Sequence, residues 1–89
     1  MAYCYILRSE RSGRFYVGHA EDVERRLADH LRGHVVSTRG KGPWEIVHVE
    51  KFTDRAAACA REREIKSWKS ATRISELCGL ERPAKREGR

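Results

Sequence analysis

The chain has no apolar run near the ~18 residues needed to cross a bilayer. Its N-terminus also lacks the basic, apolar and small-residue pattern of a secretory signal. A soluble cytoplasmic protein is the expectation, with no membrane partner. Cys4, Cys59 and Cys78 form no CxxC pair, and no short Cys/His spacing offers a structural zinc site. Reduced thiols are expected, with Cys59 and Cys78 packing as small hydrophobes. The glycine-bearing stretch Gly33 to Pro43 lacks GxxxxGK followed by Ser or Thr, so it is no P-loop. There is no internal repeat, and no linker is long enough to separate domains. Asparagine is absent altogether. The 89 residues therefore point to one small domain over residues 1–80. A domain of that size buries roughly 60% of its unfolded surface, so its core is thin.

What the chain has in excess is positive charge. Asp, Glu, Lys and Arg make up 36% of the residues, and the formal net charge is +6. The isoelectric point is near 9.7. Such a balance fits a polyanionic partner, or a basic surface that is simply solvated. The tail Glu81–Arg89 contains Pro83 and almost no apolar residue, and is expected to be disordered.

Ala2–Leu7 reads as a strand with apolar residues on both faces, hence central and covered twice. Ser12-Gly13 is a turn signal, and Arg14–Gly18 is short and apolar enough to return as an antiparallel partner. Glu21–Arg32 carries Val23, Leu27 and Leu31 at i, i+4 and i+8, one helical stripe, with Asp22 to cap it and Gly33 to end it. Trp44–Phe52 alternates as a third strand. Simple alternation puts Trp44, Ile46, His48, Glu50 and Phe52 on one face, with Val47 and Val49 on the other. Thr53-Asp54 starts a helix over Arg55–Trp68, and Ser70 caps another over Ala71–Cys78, closed by Gly79. The order ββαβαα predicts an α+β domain with a small antiparallel sheet and helices beside it.

Some polar residues sit where packing alone would not put them. With Ala58 at zero, 100° per residue places Ile65 at about −20° and Glu62 at about 40°. A carboxylate on that face is costly unless ion-paired or metal-bound. Arg55 and Arg61 share the wide arc, and a structural ion pair and a metal ligand both remain open for Glu62. Arg26 and His30 lie four residues apart on one edge of the Val23–Leu27–Leu31 stripe. A guanidinium there suits a phosphate, and the imidazole either orients a reacting group or is a half-buried His with a backbone partner. Tyr5 and Tyr16 pack as strand aromatics, or stand side by side as phenols beside a charge that eases proton loss. Arg39 and Lys41 lie in the glycine-rich loop, which serves a nucleic-acid backbone or is merely solvated.

At this point the chain resembles the GIY-YIG nuclease domain, in its small single-domain form. The first motif reads Tyr3-Cys4-Tyr5, with Tyr and Cys where the name has Gly and Ile. The second reads Tyr16-Val17-Gly18. The stretch EDVERRLADH matches the Arg-bearing helix, RGKGPWEIVHVEKF the third strand with its loop, and AREREIKSW the Glu-bearing helix. The resemblance implies a central three-stranded antiparallel sheet flanked by helices, and metal-dependent phosphodiester hydrolysis. It makes Tyr5 the base-like phenol, and Tyr16 the group that positions water or phosphate. Arg26 stabilises phosphate charge, His30 supports the attacking group or the phosphate, and Glu62 holds one Mg²⁺ or Mn²⁺. Many members carry an Asn on a later helix, which this chain does not have. Arg39, Lys41 and Lys66 are the expected nucleic-acid contacts. DNA, branched or single-stranded, is the expected substrate, cut by structure rather than sequence in repair or recombination. The other two readings are a non-catalytic nucleic-acid-binding module and a nuclease subunit that needs a protein partner.

Overall fold

The computed structural model describes residues 1–35 and 38–80. Three strands, β1 (Ala2–Ser9), β2 (Phe15–Ala20) and β3 (Trp44–Phe52), form one sheet in the order β2-β1-β3. Both pairings are antiparallel, so β1 is central, as its two apolar faces require. Helices α1 (Val23–Leu31), α2 (Arg55–Trp68) and α3 (Ala71–Leu77) complete an α+β domain in the order ββαβαα. The expectation for Glu81–Arg89 lies outside the described residues.

The strand pleat divides the core. Cys4, Ile6 and Val17 point to one face and meet Ile65 of α2 and Ile74 of α3. Tyr5, Leu7 and Trp44 point to the other, where Val23 and Leu27 of α1 cover them together with Tyr16 and Ile46. The sheet is thus a middle layer. Burial pushes the Cys4 thiol up to about 12 and the Cys78 thiol up to about 11, so both remain protonated and inert.

Each helix begins where its local chemistry says it should. The carboxylates of Asp22 and Asp54 accept from the backbone N–H of Arg25 and Ala57, and the Ser70 hydroxyl accepts from Arg73 N–H. Past the C-terminus of α1, Gly33 takes φ 78°, the left-handed conformation that suits glycine. β1 reaches Ser9, which pairs with Trp44 of β3, and β2 runs from Phe15, one residue later than expected, to Ala20, because His19 and Ala20 still find partners in Cys4 and Tyr3.

The face assignment of β3 needs correction. Ile6 pairs with His48, but Leu7 pairs with Ile46, so Val47 is an extra residue in a β-bulge. The bulge reverses the alternation. Trp44 and Ile46 face α1, whereas Val47, Glu50 and Phe52 face α2. Glu50 there accepts from Arg61 Nε at 2.8 Å and Nη2 at 3.1 Å, and from His48 Nε2 at 2.8 Å. This fork clamps α2 to β3. The Arg61 hydrogen bonds hold the Glu50 carboxyl below its ordinary value against the opposing effect of burial.

Candidate active site

The side chains singled out from the sequence gather around β2, the edge strand beneath both α1 and α2. Tyr5 comes from central β1 and Tyr16 from β2, on the face covered by α1, with ring centroids 6.5 Å apart. His30, from the last turn of α1, is buried and stands edge-on to both, 6.0 Å from the Tyr5 ring and 4.8 Å from the Tyr16 ring. Two hydrogen bonds hold its ring. The Tyr5 hydroxyl donates to His30 Nε2 at 3.1 Å, and His30 Nδ1–H donates to Thr38 Oγ1 at 2.7 Å. The Thr38 hydroxyl in turn donates to the Val35 carbonyl. This directional chain sets the tautomer, leaving Nε2 as the acceptor toward Tyr5.

The titration shifts agree with that direction. Burial pushes the Tyr5 phenol up to about 12, the neighbouring Tyr16 adds to this, and the Arg26 guanidinium opposes it through a hydrogen bond and its charge. Burial also pulls the His30 imidazole below its ordinary 6.5, reinforced by Arg26 and opposed by Asp29. At neutral pH the proton therefore rests on Tyr5 oxygen, and His30 is neutral. A group whose folded-state pKa is depressed in this way resists protonation that the unfolded chain accepts. Its contribution to stability is full above the unfolded value near 6.5 and is lost as pH falls through the folded value. The melting temperature of the wild type is expected to fall between pH 7 and pH 5 more steeply than that of His30→Gln. Equal slopes in a pH series of thermal melts would contradict this.

Gly18 makes the phenol cluster sterically possible. A Cβ built there lies 2.7 Å from Tyr5 Oη, 2.8 Å from Tyr5 Cζ and 3.1 Å from Tyr16 Cε2. The Tyr5 ring lies across the bare backbone of β2, where no side chain fits.

Glu62 stands on the buried side of α2, one turn after Ala58 and three residues before Ile65, and its side chain is 15% exposed. Among the described residues it pairs with no arginine. His19 Nδ1–H of β2 donates to Oε1, and Lys66 Nζ donates to Oε2, both at 2.5 Å. Burial raises the Glu62 carboxyl, but these two donors and their charges outweigh it and hold the group below its ordinary 4.5. Lys66 also lies 6.0 Å from the Tyr16 ring centroid, so it links the Glu62 side of β2 to the tyrosine side. His19, Arg26 and Arg55 line one hollow of about 490 Å³. Arg26 itself is half-exposed and loosely paired with Asp29 at 3.7 Å.

The expected nucleic-acid contacts separate. Lys66 belongs to this cluster. Lys41 is exposed on the far loop, and Arg39 there donates from Nε to the Gly33 carbonyl at 2.9 Å, bracing the end of α1. The sequence pattern assigned nothing to His19 or Thr38, and named Gly18 only as the end of the second motif. His19 sits two residues past Val17 on the same strand face, but its partner lies 43 residues away, so no local signal names it.

A family model described as the GIY-YIG catalytic domain matches residues 1–75. The chain belongs to the GIY-YIG catalytic domain family. Similar curated proteins carry the name UPF0213. One from Natronomonas pharaonis is 46% identical over 66 residues, 73% of this chain and 76% of that protein. One from Oceanobacillus iheyensis is 40% identical over 65 residues, 72% of this chain and 74% of that protein. The solution NMR structure of a UPF0213 protein from Bacillus halodurans is 33% identical with TM-score 0.55, over 89% of this chain and 84% of that one.

GIY-YIG domains generally use a divalent metal ion, and Glu62 is the oxygen donor suited to one here. Among the described residues no three His, Cys, Asp or Glu side chains cluster to hold a metal by themselves. A single half-buried carboxylate fits a hard cation that completes its shell with water and phosphate oxygens. Lys66, which now neutralises Oε2, would give up that contact. No helix among the described residues is long and apolar enough to cross a membrane.

Proposed function

We propose that residues 1–80 form a metal-dependent endonuclease that hydrolyses phosphodiester bonds in DNA, choosing its target by structure rather than sequence, as repair or recombination requires. The observation that carries this is the meeting of Tyr5, Tyr16, Arg26 and His30 with Glu62 around one edge strand. Membership of the GIY-YIG family supports it.

Glu62 would hold the divalent cation, which when bound would supply Lewis-acid stabilisation of the phosphate and its leaving oxygen. The chain's own groups do the rest. Arg26, half-exposed beside the Tyr5 hydroxyl, is placed to neutralise a phosphate oxygen. Tyr16, the more exposed of the two phenols, positions the attacking water or the phosphate. Tyr5, protonated at rest, works as a relay. As it takes the proton of the attacking water, it passes its own to His30 Nε2, so no free phenolate need form. Thr38 holds the imidazole in the tautomer able to accept.

Purified protein with Mg²⁺ or Mn²⁺ is expected to nick branched, flapped or single-stranded DNA, and EDTA to stop it. No cleavage by the wild type across a broad panel of DNA and RNA structures would overturn the proposal. One observation favours a second reading, a binding module without catalysis: His19 and Lys66 already neutralise the Glu62 carboxylate. That reading predicts salt-dependent DNA binding indifferent to metal and to Glu62.

A further inference from the structure

The β1–β2 hairpin tip and the loop over residues 38–43 carry positive charge that the proposed hydrolysis does not use. Arg11, Arg14 and Lys41 are exposed there, and Lys69 lies close by on a hollow shared with Arg14. Among the described residues none of the four has a carboxylate oxygen within 4.0 Å. Elsewhere Arg26, Arg32, Arg61 and Lys66 each pair with a carboxylate, while Arg25, Lys51, Arg55, Arg63 and Arg73 are exposed cations spread over other surfaces. The nearby acids are Glu10, and Glu45 opposite Arg8. At the other end of the same strands the signs are mixed: Glu21, Asp22, Glu24 and Asp54 stand among Arg25, Arg26 and Arg55.

These cations do not hang on floppy loops. Ser9, fully buried, ties the tip together. Its hydroxyl donates to the Lys41 carbonyl at 2.8 Å and accepts from the backbone N–H of Arg11 and Ser12. Glu10 N–H donates to the Pro43 carbonyl, and Arg11 Nη2 donates to the Gly40 carbonyl at 3.1 Å. Lys41 N–H donates to Thr38, the residue that holds His30. The tip is therefore built on the same hydrogen-bonded frame as the phenol–imidazole chain.

Two clefts continue this frame over the surface. One of about 290 Å³ lies between His30, Thr38, Trp44 and Arg11. The next, of about 310 Å³, is lined by Arg11, Ser12, Arg14, Lys41 and Trp44. They share Arg11 and Trp44, and Trp44 stands edge-on to the Tyr16 ring at 6.4 Å. Arg14 precedes Tyr16 by two residues, roughly 7 Å of extended chain, about one nucleotide of strand.

We infer that Arg11, Arg14 and Lys41 form a phosphate-binding track for a single nucleic-acid strand, leading it from the tyrosine site past Trp44 to the hairpin tip. The inference rests on the nuclease reading for where the strand begins, but binding tests it without cleavage. A cation fixed by a buried frame contacts a phosphate at less entropic cost than one on a mobile loop.

The test is fluorescence anisotropy of a labelled oligo-dT with the full chain in EDTA across a salt series. Arg11→Ala/Arg14→Ala is compared with wild type and with Arg25→Ala/Arg63→Ala, which removes the same net charge from exposed sites away from the tip. The tip variant is expected to bind about tenfold more weakly at low salt. Its plot of log K against log salt should be shallower by about 1.4, two phosphates at about 0.7 each. The charge-matched control should stay near wild type. Equal affinity and slope for the two double variants, or no binding by the wild type, overturns the track. Cleavage is read separately: under the track, the tip variant raises KM and leaves kcat unchanged. Loss of kcat would mean that the tip belongs to the catalytic machinery instead.

Discussion

Glu62→Ala is expected to reduce metal-dependent cleavage by about a thousandfold while leaving a folded, DNA-binding protein. The magnitude follows from the several kcal/mol that a positioned cation contributes to a phosphoryl transition state, at about 1.4 kcal/mol per factor of ten. The protein should survive the change because Glu62 is not part of the apolar core. Its partners are Lys66, half-exposed, and His19, a quarter exposed, and both can turn to water when the carboxylate is gone. Removing such partly screened pairs costs about 1 kcal/mol or less. Glu50 offers the contrast. It is held by the Arg61 fork and His48 and ties α2 to the sheet, so Glu50→Ala is a stability change rather than an activity change. Initial nicking rates with Mn²⁺ and urea unfolding curves for the two variants separate these roles. Cleavage by Glu62→Ala at the wild-type rate would show that Glu62 holds no metal the reaction needs, whereas binding without cleavage by either protein would leave the binding-module reading in possession.

Gly18→Ala is expected to damage both stability and rate through a single methyl group. The added Cβ would sit within 2.8 Å of two Tyr5 atoms and 3.1 Å from Tyr16. Tyr5 cannot swing away, because it is 1% exposed and its hydroxyl is bonded to buried His30. Either β2 moves or the phenol does. Overpacking of this kind costs about 1–3 kcal/mol. A displacement of about 1 Å at the relay would also cost about a hundredfold in rate. The double variant Gly18→Ala/Tyr5→Phe removes the nearest atom, so it should regain some of the lost melting temperature but none of the activity. That split is a coupling measurement between contacting residues. A Gly18→Ala protein that melts and cleaves like wild type would show that the Tyr5 ring does not lie across Gly18.

The resemblance of this chain to GIY-YIG nucleases placed a glycine after Tyr16-Val17, but only the position of the Tyr5 ring on the next strand explains why nothing larger fits. The same gap separates the two halves of the site. Arg26 and His30 were legible as neighbours because one helix turn brings i and i+4 together. Glu62 was legible as an oddity because helical periodicity put it beside Ala58 and Ile65. That it would meet His19 rather than an arginine was not legible. The pairing depends on how α2 lies against the edge of β2, which no spacing within either element encodes. His30 shows how burial changes a role. At the border of an apolar stripe it could have been a solvent-facing ligand. Buried between Tyr5 and Thr38, it is a neutral acceptor.

Local chemistry by itself determined the helix starts at Asp22, Asp54 and Ser70, the bounds of β3 and the doubly covered β1, because caps, turns and periodicity act within a few residues. Tertiary structure alone decided the bulge at Val47, which sent Glu50 to α2 and Trp44 to α1, since register depends on the partner strand. It also decided the joining of Tyr5, His30 and Thr38, the Glu62–His19 pair, and the stitching of the basic tip to the site through Ser9 and Thr38. Each of these is a contact between distant segments whose geometry exists only once the layers have packed.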